Sequence, residues 1–187
     1  MDGCPGSSMK YFRNKDAKAQ GSLAAVESQL RQWPIQLHLI GPCAPYYQGA
    51  DVVLSADCVA YALGNFHNDY LKGKSLAIAC PKLDEGQETY VEKIKEWFED
   101  AKINTLTILT MQVPCCAGLV SLAEQALAQA KRKVPVKSIV VSLEGEIMSE
   151  SLADGLQHLD AFVNDLRPDA VAGQHGYIKF HPRTSRD

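Results

Sequence analysis

The stretch TLTILTMQVPCCAGLVSLAEQALAQAKR, residues 105–132, decides the fold. Its first nine residues, 105–113, are nearly all apolar or β-favouring, as in a strand covered on both faces. Pro114 stops that run. From Cys116 the apolar residues recur every three or four positions, the period of a helix. A fully buried strand feeding an amphipathic helix is half of a β-α-β crossover unit. Two adjacent cysteines, Cys115 and Cys116, stand at the handover.

The same alternation extends outward. Strand candidates are IQLHLI (35–40), DVVLSAD (51–57), SLAIAC (75–80) and KSIVVSLEG (137–145). Helical patterns lie between them at 58–71, 90–103 and 116–132, with Gly64 weakening the first. A further helix is expected at 22–33, carried by Leu23, Val26, Leu30 and Trp33 and ended by Pro34. A last one is expected at 151–166, capped near Ser151 and followed by Pro168. The expected architecture is a three-layer α/β fold: a mostly parallel five-stranded sheet with helices on both faces, Rossmann-like or flavodoxin-like. The expected organisation is a polar N-terminal arm (1–21), a single α/β domain (22–167) and a C-terminal tail (168–187). Neither the glycine fingerprint GxGxxG nor the phosphate loop GxxxxGK[ST] occurs, so nothing points to a nucleotide.

Composition narrows the function classes. The 187 residues are 46% hydrophobic and 22% charged, with a net charge of −3, which suits one ordinary globular domain. The slight acidity argues against nucleic-acid binding. The cationic run Lys131-Arg132-Lys133 fits a helix C-terminus. No stretch approaches the roughly 18 apolar residues of a membrane span, and the N-terminus lacks the apolar core of a signal peptide. A cytoplasmic, reducing setting is expected, in which six cysteines call for an account other than disulfides.

On this sketch Cys43 follows the first strand candidate, Cys58 the second, Cys80 the third, and Cys115 and Cys116 the fourth. Parallel strands end on one edge, and open α/β sheets bind ligands there. Five cysteines are thus expected on one rim, while Cys4 sits on the arm. Cys58, Cys80, Cys115 and Cys116 form the candidate metal set, with Cys43 evenly balanced between ligand and packing. Cys116 and Cys58 would lie near helix N-termini, which favour thiolate. Burial as small hydrophobes and a strained disulfide between the neighbours are the competing accounts. Four thiolates suit zinc or an iron–sulfur cluster. Zinc usually draws its ligands in close pairs, whereas a bulkier [4Fe-4S] cluster is better served by scattered loops. Lys82 could offset a cluster's negative charge, or be a solvated loop lysine. In an unbroken helix His67 would lie about 13 Å beyond Cys58, too far to share the site. Asp57 is a candidate helix cap. His38, Tyr46, Tyr47 and Met111 read mainly as packing residues.

The segments GCPGS, LRQWPIQLHLI, APYYQGADVVLSADCVAYALGNFHNDYLKGK, AIACPKLDEGQETY and VPCCAGL resemble the C-terminal domain of bacterial and archaeal ferredoxin-like, iron–sulfur-binding proteins. The resemblance runs from about residue 3 to about residue 145. Those proteins carry an N-terminal module with two four-iron clusters on CxxCxxC motifs, which this chain lacks, so a stand-alone form or a fragment is expected. The resemblance implies an iron–sulfur, electron-transfer setting and a ferredoxin-type partner, with homodimerisation possible. It also implies that Cys4, within GCPGS, could supply a ligand in place of one of the paired thiols. Such relatives do not typically have cysteine at the position of Cys43, and often have Glu at that of Gln112. A reductase acting at an open cluster position, and a zinc-stabilised or metal-free docking scaffold, are the alternatives.

Overall fold

The computed structural model describes residues 10–11 and 26–152. These lie within one compact unit, Met1–Gly155; a second unit, Leu156–Asp187, falls outside the described residues.

Four buried apolar runs form the parallel core of a five-stranded sheet: β3 (Asp51–Ala56), β4 (Ser75–Ala79), β5 (Thr105–Met111) and β6 (Val136–Val141). The strand order is β4-β3-β5-β6-β7, with β7 (Ile147–Leu152) antiparallel to β6. Register is regular through the centre: Leu54 lies opposite Ala77 on one side and Ile108 on the other. The chain moves one way from β3 to β4 and the other way to β5 and β6. Right-handed crossovers therefore place α1 (Val59–Ala62) on one face, and α2 (Gln87–Glu99) and α3 (Pro114–Gln129) on the other. This is the expected three-layer Rossmann-like architecture.

The helices follow their stripes. Tyr90, Val91, Ile94, Trp97 and Phe98 of α2 are buried at positions i, i+1, i+4, i+7 and i+8. On α3 the buried row is Cys116, Leu119, Val120, Ala123 and Ala126, joined by Leu122. Cys116 is thus the first residue of a core-facing stripe. Cys115, about 100° away around the axis, is exposed.

Several expectations are corrected. IQLHLI is not a strand: Gln36 makes an isolated parallel bridge to Ile78, and residues 37–39 then turn. The Lys93 ammonium donates to the carbonyls of Leu37, His38 and Ile40, and so holds the chain in that turn. Residues 26–33 are not helical. Gln32 and Trp33 form β2, paired antiparallel with β1 (Lys10–Tyr11). The buried side-chain amide of Gln32 donates to the Leu76 carbonyl at 2.7 Å and accepts from the Leu76 N–H at 3.2 Å. A side chain thereby covers part of the β4 edge, where backbone pairing would otherwise be open. At the other end, Ser151 and Leu152 belong to β7, not to a helix. The rest of the expected 151–166 helix lies outside the described residues. The 58–71 helix is also interrupted, reduced to the single turn of α1 and a π-type turn at His67–Leu71.

Candidate metal centre

In this strand order the connection reverses between β3 and β5, which makes their C-terminal ends the topological switch point, where open α/β sheets bind ligands. Cys58 follows β3 after one residue. Cys115 and Cys116 occupy the first turn of α3, just beyond β5. Cys80 follows β4, the neighbour of β3. The topology therefore places Cys58, Cys115 and Cys116 beside the switch point, and Cys80 one strand away on the same rim.

Cys43 is not among them. It lies against the last turns of α2, with Sγ 4.0 Å from Glu96 Oε2 and Asp100 nearby. Because α2 descends from the rim, those residues mark the opposite edge of the sheet. Burial, Glu96 and Asp100 all push the Cys43 thiol up. The expectation that put Cys43 on the rim depends on a strand at IQLHLI, and falls with it. Cys4 lies outside the described residues.

The cysteine loops are built differently. Cys80 begins a tight turn in which Leu83 and Asp84 donate their N–H groups back to its carbonyl. The Asp84 carboxylate in return accepts the Cys80 N–H at 2.8 Å. It also accepts the Tyr90 hydroxyl at 2.6 Å and the Gln36 amide at 3.2 Å. Burial acts against ionisation of Asp84, but these hydrogen bonds and His38 together hold its pKa below the usual value. Gln87 donates to the Pro81 carbonyl and closes the loop on α2. A Cβ on Gly118 would stand 3.2 Å from Pro81, so only a small residue lets the Cys80 loop pack this closely on α3. Sequence reasoning does not single out Asp84, Gln36 and Gly118 as positioning residues. The four-residue spacing from Cys80 to Asp84 is the one available sign. Lys82 is exposed on this loop.

The expected thiolate at Cys116 is not its resting form. Its thiol is pushed up to about 11, first by burial, with Cys115 and Cys58 adding to the rise and a Met111 backbone hydrogen bond opposing it. That influence puts Cys58 and Cys115 in the electrostatic neighbourhood of Cys116. The dipole argument also fails for Cys58, because α1 has one turn only. Asp57 does not cap α1; its Oδ1 is buried without a hydrogen-bond partner. His67 accepts the Gln29 N–H at Nδ1, a structural tie between distant segments of the chain. Tyr46, Tyr47 and Met111 are core residues, and His38 packs its ring 4.5 Å from Tyr90.

Burial and the nearby Asp84 raise the Asp57 carboxyl above its ordinary value. A raised folded-state pKa gives stability below the unfolded value that is lost as pH rises through the folded one. Ionised Asp57 therefore weakens the fold at neutral pH. Asp57→Asn is expected to raise the Tm of metal-free protein by a few degrees at pH 7, and the gain should vanish as the pH falls towards 4. Thermal scans at both pH values check this.

Thiolates on one tetrahedral zinc lie about 3.8 Å apart, given Zn–S bonds of about 2.3 Å. Among the described residues, only Cys43, Glu96 and Asp100 bring three ligand atoms within 4.8 Å of one another. Among the described residues, no three rim cysteines therefore stand at zinc spacing.

A model of a Rossmann-like domain matches residues 44–170. A protein of Archaeoglobus fulgidus, described only as uncharacterized, is 28% identical over 119 residues, covering 64% of this chain and 83% of its own. No solved structure matches. The resemblance to ferredoxin-like, iron–sulfur-binding proteins is corrected by these matches: the family is that of a Rossmann-like domain, and no ferredoxin-like relative appears. Among the described residues, no helix is long and apolar enough to cross a membrane. The chain belongs to the Rossmann-like domain family.

Proposed function

We propose that this member of the Rossmann-like domain family uses the crevice at its topological switch point to hold an iron–sulfur cluster of the [4Fe-4S] type, and that it carries electrons. One observation supports the reading above all: Cys58, Cys80, Cys115 and Cys116 follow three adjacent strands on the C-terminal rim, the edge where open α/β sheets bind ligands. Among the described residues no three of these thiols lie within 4.8 Å of one another, which disfavours zinc. The raised Cys116 thiol fits a ligand held as thiol until metal displaces its proton. Lys82, exposed on the Cys80 loop, would offset part of a cluster's negative charge. A reducing, cytoplasmic setting would keep these thiols available.

Exposed apolar side chains stand just after β3, β4 and β6. Tyr61 follows Cys58, Leu83 follows Cys80, and Leu143 follows β6; they are 93%, 80% and 68% exposed. Such a surface suits transient contact with a small electron carrier of the ferredoxin type. The test is optical. Protein purified without oxygen should show broad visible absorption that bleaches on reduction with dithionite and returns on reoxidation. A colourless protein unaffected by dithionite would defeat the redox reading.

A further inference from the structure

The two edges of the five-stranded sheet differ. On the β4 edge the outward backbone groups are taken. Leu76 donates its N–H to the Gln32 side chain, and its carbonyl accepts from the Gln32 amide and the Tyr47 hydroxyl. Ile78 donates its N–H to the Ile35 carbonyl and accepts the Leu37 N–H. A strand from outside finds no partner there. On the other edge all six residues of β7 are exposed, and among the described residues nothing pairs with its outer side.

The register fixes what β7 presents. Ile147, Glu150 and Leu152 lie opposite Val141, Ile139 and Lys137 of β6 and share their face, because the shift at Val140/Val141 leaves Met148 as the extra residue of a bulge. Ser149 and Ser151 lie opposite Val140 and Ser138, on the other face. One face of the edge is therefore apolar, acidic, apolar, and the other is small and polar. Residues 143–152 hold three glutamates and no Lys or Arg. Glu150 is bridged to Lys137, and among the described residues no ion pair holds Glu144 or Glu146.

That charge selects the occupant. A second copy pairing antiparallel through β7 would bring the two Glu150 side chains close together on one face, where like charges repel. We infer that β7 is a docking edge for an extended segment of a partner protein, one that carries an apolar residue, a Lys or Arg and a second apolar residue at alternate positions. Backbone pairing supplies the affinity, and the cation facing Glu150 supplies the choice of partner. The inference is independent of the rim cysteines and of any metal.

The test is a titration of the isotope-labelled full chain with the peptide Ser-Val-Ser-Lys-Ser-Val-Ser, followed by amide nuclear magnetic resonance. Saturable shifts confined to β7 and the β6–β7 turn are expected, with binding at least tenfold weaker when Glu replaces the Lys of the peptide. Glu150→Lys should reverse that preference. Shifts that are absent or fall elsewhere, or a preference that Glu150→Lys leaves unchanged, would overturn the inference. So would slow exchange of the outward β7 amides in the free chain. The edge would then already be taken, by a second copy if the chain sediments as a dimer and by the chain itself if it sediments as a monomer.

Discussion

Cys58→Ala is expected to abolish metal binding almost completely, with little change in stability. Cys58 is exposed and makes no cap bond, so removing its sulfur leaves no core cavity. Its place is nonetheless central: it follows β3, which flanks the switch point, and its charge reaches the Cys116 thiol. Cys43→Ala is the matched control, another exposed cysteine at the opposite edge of the sheet. Metal analysis of the two variants should give near-zero and wild-type occupancy respectively. Equal occupancy in both would mean that the rim is not the site.

Gly145→Val is expected to be the most damaging single change to the fold, about 3 kcal/mol. Gly145 closes the turn between β6 and β7, donating its N–H to the Ser142 carbonyl, at a φ of +87°. A β-branched residue is strained in that conformation. The space is also closed: a Cβ would come within 2.3 Å of the Ala62 carbonyl oxygen. Ala62 ends α1, the helical turn that follows Cys58, so the clash is between two backbones that cannot step aside cheaply. For a chain of this size the expected loss in Tm is roughly 6–12 °C, measurable by a thermal scan. An unchanged Tm would show that the β6–β7 turn does not press on α1.

The two substitutions concern different links between sequence and structure, and the sequence exposes them unequally. Buried parallel strands are legible because both faces demand apolar residues; β3, β4, β5 and β6 all lie within or beside their expected runs. Helices α2 and α3 are legible for the complementary reason, a one-sided stripe. From these alone the strand ends can be placed, and with them Cys58, Cys80, Cys115 and Cys116.

Elsewhere long-range partners decide, and local pattern misleads. Ile35, Leu37 and Leu39 alternate like a strand, yet Lys93, more than fifty residues away, gathers three carbonyls and turns the chain. Leu30 and Trp33 fit a helical spacing, yet Gln32 is held by Leu76 and extends the segment. Ser151 looks like a helix cap, but it lies opposite Ser138 in the β6–β7 ladder. In each case a tertiary contact overrides a local preference. The first of them also misplaces Cys43. The positioning role of Asp84 is hidden for a related reason: its partners Gln36 and Tyr90 come from outside the CPKLD loop.

The thiol chemistry is only half legible. Sequence places Cys116 near a helix N-terminus, where the dipole lowers a thiol pKa. The structure shows the same residue opening the buried stripe of α3, near two other thiols, and burial pushes its thiol up.

The central claim is that the rim cysteines make one iron–sulfur site. The most direct measurement is iron, acid-labile sulfide and zinc content of the full chain purified without oxygen. The account predicts iron and sulfide in equal amounts, about four of each per chain or per pair of chains for a four-iron cluster, with zinc absent. A protein free of iron and sulfide, with its rim thiols all titratable or occupied by zinc, would contradict it.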